Sequence, residues 1–232
     1  MKEILKVLVG SRAHGLETST SDYDTKAVFI VPTSSLLSLK PNGNKPQYTG
    51  YFDGMKDDVA FEVGYFLYLA TKSNPTILET MLSPIIDSTP EGIELRSLFP
   101  YVWSSKLVHS AFLGYGMSQR KKFMESDPLD THRYKFAVAW LRNLYQAVDL
   151  LRTGDMKTRI VDSEVGLILR RWKEGKGSLE EKFTIEEVLY FTTLFEGLLQ
   201  ETYKAVPEKQ VNYEPINDYL LKIRRENFYV SV

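Results

Sequence analysis

Cysteine is missing from the 232-residue chain. Disulfides, thiolate metal ligands and cysteine nucleophiles are excluded with it, which fits a reducing cytosol. Membrane-spanning runs are missing too, since no stretch approaches the roughly 20 apolar residues that a bilayer requires. In the opening MKEILKVLVGS, Glu3 and Lys6 interrupt the apolar run, unlike a secretory signal. The expectation is a cytoplasmic protein with no membrane partner. An excess of one charge is absent as well. The 29 Lys and Arg stand against 30 Asp and Glu, a formal net charge of −1, so the whole surface is not a basic coat for nucleic acid. Histidine is scarce, and His14, His109 and His132 lie far apart. That argues against a phosphohydrolase built on clustered histidines.

What remains is ordinary globular material. Hydrophobic residues make up 43% and charged residues 25%, enough to bury a core in one large domain or two small ones. Residues 4–10 are apolar and β-branched and predict a short buried strand stopped by Gly10. Residues 11–21 are small and polar and predict a loop. Residues 23–31 predict a second strand ended by Pro32, and 57–62 a third. Between Pro32 and about Gly54, Pro, Gly, Ser and Asn predict an irregular excursion. Apolar residues recur at helical spacing over 63–72 until Ser73-Asn74-Pro75 breaks them. Asn74 is a good N-cap with Pro75 at the first helical position, so a short helix should run through Met81. Beyond about residue 90 the pattern is helical, over 102–124, 130–153, 162–173, 184–205 and 214–226, with Gly154 as a C-cap. Strands come first and helices after. The fold class is therefore α+β, with a small mixed sheet in residues 1–98 and an α-helical C-terminal domain over 99–232.

Chemistry concentrates in VLVGSRAHGLETSTSDYDTKAVFIV, whose skeleton is Gly10-Ser11, a ten-residue spacer and Asp22-x-Asp24 leading into a strand. Glycine lets a backbone approach a ligand closely. Free N–H groups at such a turn bind phosphate oxygens, and the Ser11 hydroxyl adds a donor. Asp22 and Asp24, one residue apart, point to the same side on extended backbone. Two carboxylates held together repel unless a cation lies between them, and Mg²⁺ takes oxygen ligands together with substrate phosphates. A pair of such ions can activate an attacking oxygen and stabilise leaving pyrophosphate.

This skeleton resembles the nucleotidyltransferases of the DNA polymerase β superfamily. Members share a Gly-Ser turn, a short spacer, an Asp-x-Asp pair on a strand and a third carboxylate on a later strand. The wording Gly10-Ser11-Arg12-Ala13-His14-Gly15-Leu16, then Ser21-Asp22-Tyr23-Asp24, is similar to a bacterial and phage branch of predicted nucleotidyltransferases. So is Lys72-Ser73-Asn74-Pro75-Thr76-Ile77-Leu78-Glu79. The likeness is strong over 7–82 and thinner over 103–154, where Gly114-Tyr115, Gln119, Arg120, Lys135 and Arg142 carry it. After residue 155 little is recognisable. The resemblance implies a nucleotidyltransferase catalytic domain followed by a helical one. It implies transfer of a nucleoside monophosphate from an NTP, ATP among the candidates, to an acceptor hydroxyl, with Mg²⁺ or Mn²⁺ held by Asp22, Asp24 and a third acid. Asp58 and Glu62 would share a face of the third strand, with Asp57 pointing away. The family pattern favours an acid opening that strand, hence Asp58, with Glu62 the alternative ligand and a merely polar Asp57-Asp58 strand start the plainer reading.

Other residues carry two readings each. Arg12 is a bidentate partner for triphosphate oxygens or part of an exposed loop. Lys72 suits a helix C-terminus, and Asn74, Pro75 and Glu79 read as structural. Over 106–142 seven Lys or Arg face three Asp or Glu. Lys135 and Arg142, seven apart and so on one helical face, match the family's helical region and are expected at the nucleotide. The acceptor implied by the wording is an RNA end, with tRNA among the candidates. A protein or small-molecule hydroxyl is the alternative within the transferases, and an inactive nucleotide-binding module is the alternative outside them.

Overall fold

The computed structural model describes residues 1–39, 47–49, 59–127, 130, 132–174 and 184–229. The contacts divide the chain into two units. One comprises Met1–Gly10, Asp22–Trp103 and Gln210–Val232, and the other Ser11–Ser21 and Ser104–Lys209. The helices, in chain order, are α1 (Gly10–Ala13), α2 (Thr33–Leu36), α3 (Val63–Thr71), α4 (Pro75–Leu82), α5 (Pro90–Ser97), α6 (Ser105–Glu125), α7 (Arg133–Thr153), α8 (Glu164–Glu174), α9 (Ile185–Ala205) and α10 (Tyr213–Glu226). None among the described residues is long and apolar enough to cross a membrane.

The first unit is built on a five-stranded mixed sheet of order β3-β4-β2-β1-β5, formed by β1 (Lys2–Leu8), β2 (Thr25–Ile30), β3 (Gln47–Thr49), β4 (Val59–Glu62) and β5 (Ile85–Ser88). β2 and β4 run parallel and the other pairs antiparallel. The two central strands are apolar because they are covered. Ile4, Leu5 and Val7 of β1 and residues 27–31 at β2 are all buried. Ala27, Phe29 and Val31, alternating along the chain, share one face with Ala60, the register partner of Ala27. Phe66, Leu67 and Ala70 of α3 and Ile77, Leu78 and Met81 of α4 add to this core. The Asn74 side chain caps α4 by accepting from the Ile77 N–H at 3.3 Å, with Pro75 in the first turn.

The mixed α+β class expected from the sequence is what the fold shows. Individual elements depart from it in instructive ways. β2 begins at Thr25, not at residue 23, since aspartate is a poor strand former. β5 and α5 were not anticipated. Ile85 and Ile86 are exposed on an edge strand, and four residues with no buried face give no alternating signal. The contacts also assign the last helix to the sheet unit. Ile216, Tyr219 and Ile223, spaced at helical intervals, are buried there. The Tyr219 hydroxyl donates to the Glu91 carbonyl at 3.0 Å, Lys222 meets Glu94 at 2.7 Å and Arg224 meets Glu62 at 2.7 Å.

The Arg224–Glu62 pair is shielded, with side-chain exposures of 17% and 9%. Arg224→Met should therefore lower stability by about 3 kcal/mol, because Glu62 is left buried without its counter-charge. Adding Glu62→Gln should recover part of the loss. Urea titration of the three variants measures both, and an unchanged midpoint in the single variant would refute the assignment.

The second unit is helical. α7 lies at its centre, with Trp140, Leu141, Leu144, Ala147 and Leu150 buried against α6, α8 and α9. Gly154 closes α7 in the left-handed conformation, as its position predicted. Two buried polar side chains bond to carbonyls within the bundle: Asn143 donates to the Phe112 carbonyl at 2.9 Å and Arg133 to the Phe123 carbonyl at 2.9 Å.

Candidate functional site

In the sheet unit, the antiparallel pairing of β1 with β2 ends at Leu8↔Thr25. It is extended by one more bond, from the Val9 N–H to the Asp24 carbonyl at 3.0 Å. That bond sets Asp24 opposite the turn after β1. Gly10 stands there at φ +70°, and a Cβ built on it would fall 2.4 Å from Asp24 Oδ2 and 3.3 Å from its Cγ. The carboxylate thus rests against a bare Cα that no other residue supplies. Asp24 is half-buried, and Asp22 and Tyr23 are exposed.

Two aspartates a single residue apart at the start of a central strand offer hard anionic oxygens with solvent access, a donor set that suits Mg²⁺ or Mn²⁺. Among the described residues no group of three His, Asp or Glu side chains is close enough to share an ion. Asp57 and Asp58 lie outside the described residues. Glu62, the alternative third ligand, has structural partners. Its Oε2 accepts from the Gly64 N–H at 2.7 Å and the Tyr65 N–H at 3.4 Å, capping α3, and its Oε1 faces Arg224. Aspartate, asparagine, serine and threonine are the usual caps, so a glutamate in that role left no local signal.

In the helical unit, residues 11–21, expected as a loop, open with the last three residues of α1 and then close on themselves. Leu16 N–H donates to the Ser11 carbonyl at 2.9 Å, Gly15 N–H to Arg12 at 3.2 Å and Ser21 N–H to Thr18 at 3.0 Å. Thr18 N–H donates in return to Ser21 Oγ at 2.8 Å, and Arg12 reaches across the loop to the Ser21 carbonyl at 2.9 Å. Arg12 is half-buried rather than splayed on an exposed loop. Distant chain holds the outside of the loop. His14, 4% exposed, lies with Nδ1 2.9 Å from the Thr158 carbonyl, so Nδ1 carries the proton. Ile160 N–H donates to the His14 carbonyl at 3.2 Å and Arg170 to Gly15 at 3.4 Å. Lys173, 8% exposed, donates to Ser21 Oγ at 3.2 Å.

Lys173 was not singled out from the sequence, although a signal existed. Val165, Leu169 and Trp172 mark the inner face of α8, and a lysine one position on, two turns after Val165, falls on that face. Of the expected phosphate contacts on α7, Lys135 is exposed in the first turn and Arg142, half-buried, donates to Gln146 Oε1 at 3.0 Å. The basic segment is partly structural, since Arg133 is buried with its guanidinium 4.4 Å from the Phe123 ring centroid.

A family model described as RlaP, RNA repair pathway DNA polymerase beta family, matches residues 1–222. Among curated proteins none matches the chain.

Proposed function

The chain belongs to the RNA repair pathway DNA polymerase β family, and from that membership we propose that it transfers a nucleoside monophosphate from an NTP to the hydroxyl of an RNA end. The acceptor oxygen forms a bond to the α-phosphorus, the α–β phosphoanhydride bond breaks, pyrophosphate leaves and the hydroxyl proton is lost to solvent. The observation that carries this reading is Asp24, held with one carboxylate oxygen against Gly10 and followed directly by β2. Asp22 and Asp24, with Asp58, would hold Mg²⁺ or Mn²⁺, which when bound supplies charge neutralisation at the phosphates and acidifies the acceptor hydroxyl. In favour of Asp58, it immediately precedes Val59, whose parallel register partner is Lys26, two positions after Asp24. Gly10 and Ser11 offer backbone N–H groups and a hydroxyl to phosphate oxygens, and Arg12, already pinned to Ser21, is a preorganised cation for them. Lys135 and Arg142 are assigned to the phosphates of the nucleotide or of the RNA. No side chain acts as nucleophile. The rate gain comes from positioning and charge.

The deciding experiment incubates the protein with each α-³²P-labelled nucleoside triphosphate, Mg²⁺ or Mn²⁺ and total RNA. Label on RNA is the expected result and names the nucleotide. Label on protein would move the acceptor to a protein hydroxyl. Nucleotide binding with no label anywhere would overturn the transferase reading in favour of an inactive binding module. Retention of the protein on single-stranded RNA or tRNA should weaken as salt rises.

A further inference from the structure

α9 carries more apolar surface than its own bundle covers. Val188, Thr192, Leu199 and Thr202 mark its buried face. On the opposite side Tyr190 and Leu194 stand one turn apart, 64% and 51% exposed. Gly197 continues that stripe, and among the described residues no atom lies within 4 Å of a Cβ built on it. Gly116 leaves room for the Trp140 ring and Gly166 for the Ile160 carbonyl. Gly197 leaves room for no such neighbour. Glycine is a poor helix former, and what it offers in exchange is close approach by another surface. Charges frame the stripe. Glu186 lies about two turns before Leu194, and Lys204 about two turns after Gly197. Both are exposed, and among the described residues neither has an ion-pair partner. Glu201, also exposed, stands one turn after Gly197.

We propose that this face of α9 binds the same face of a second copy of the chain, the two helices antiparallel about a two-fold axis close to residue 195. Such pairing sets Leu194 over the partner's Gly197, the Tyr190 hydroxyl toward the carboxylate of the partner's Glu201, and Glu186 toward the partner's Lys204. All three pairs share the one axis, and the symmetry makes each of them twice. Parallel pairing would instead set like charges against each other at both ends. The stripe thus supplies its own complement, acid at one end and base at the other, which selects a second copy over an unrelated protein. The interface lies wholly within the helical unit and does not depend on the transferase reading.

The test is the mass of the full-length protein by sedimentation equilibrium, from low micromolar to near-millimolar concentration. One helix face is small for an interface, so the dimer should be weak, half formed at roughly tens of micromolar. Glu186→Lys and Lys204→Glu should each raise the dissociation constant about tenfold, since both symmetric pairs turn from attraction to repulsion. The variant carrying both substitutions should dimerise like the wild type, because its charge order is merely reversed. A damaged fold or a different interface would not be repaired by a second charge reversal. Leu194→Glu should leave a monomer with native circular dichroism, the position being exposed. A monomer at every concentration, or a dimer whose constant ignores both charge reversals and Leu194→Glu, would overturn the proposal.

Discussion

Asp24→Asn is expected to lower nucleotidyl transfer by about three orders of magnitude or more without unfolding the protein. Asparagine keeps the volume and one oxygen, so the contact with Gly10 and the Val9–Asp24 backbone bond both survive. What is lost is one of two negative charges set a single residue apart. Mg²⁺ should therefore raise the midpoint of the wild-type chain, as any ligand of the folded state does, and raise that of Asp24→Asn much less. Single-turnover transfer of labelled nucleotide and calorimetry with and without Mg²⁺ check the two halves separately. Transfer near the wild-type rate would remove Asp24 from the site. Asp22→Asn should behave alike.

The second large effect is expected from adding a single methyl group. Gly10→Ala should reduce transfer by roughly a hundredfold, the size of loss that a small misplacement of a reacting constellation causes. A Cβ at this position meets Asp24 Oδ2 at 2.4 Å, so the carboxylate must turn away or the backbone must move. The left-handed backbone adds a general stability penalty of about 1 kcal/mol. Gly154→Ala separates the two causes. Gly154 has φ +77° and no atom within 4 Å of its built Cβ, so it carries the backbone penalty alone. Gly10→Ala should lose at least as much stability in urea as Gly154→Ala, and only Gly10→Ala should lose transfer. Equal transfer in the two would show that the Gly10–Asp24 contact does not matter to catalysis.

Legibility in the sequence followed the range of the forces involved. Asn74-Pro75 announced α4 and Gly154 the end of α7, because capping and left-handed turns are properties of a few adjacent residues. β1 and β2 were visible as buried apolar runs, and α6 to α10 as long periodic segments, whose starts moved by one to three residues and whose ends by one at most. The Gly10-Ser11 and Asp22-x-Asp24 spacing stands out in the sequence because it occupies only fifteen residues. The contact that explains Gly10, its Cα against Asp24, needed the strand register. Side-chain partners remote in sequence left no trace: Glu62 with Arg224, His14 with Thr158, Lys173 with Ser21. Each is fixed by tertiary packing, and no local pattern of residue types encodes it.

The return of α10 to the sheet unit has a consequence for how the protein is made. A ribosome releases β1, β2, β4 and α3 early, and then delivers residues 104–209 before Ile216, Tyr219, Ile223 and Arg224 emerge. Until they do, Glu62 has no counter-ion and an apolar face of the nascent chain stays uncovered. Segments 11–21 and 104–209 can pack as soon as α8 and α9 are out. The sheet unit, though it starts first, must finish last. Closing a contact across so long an insertion is slow relative to local helix formation, so the interval between the two events is when a nascent chain is most exposed to aggregation and to holding chaperones.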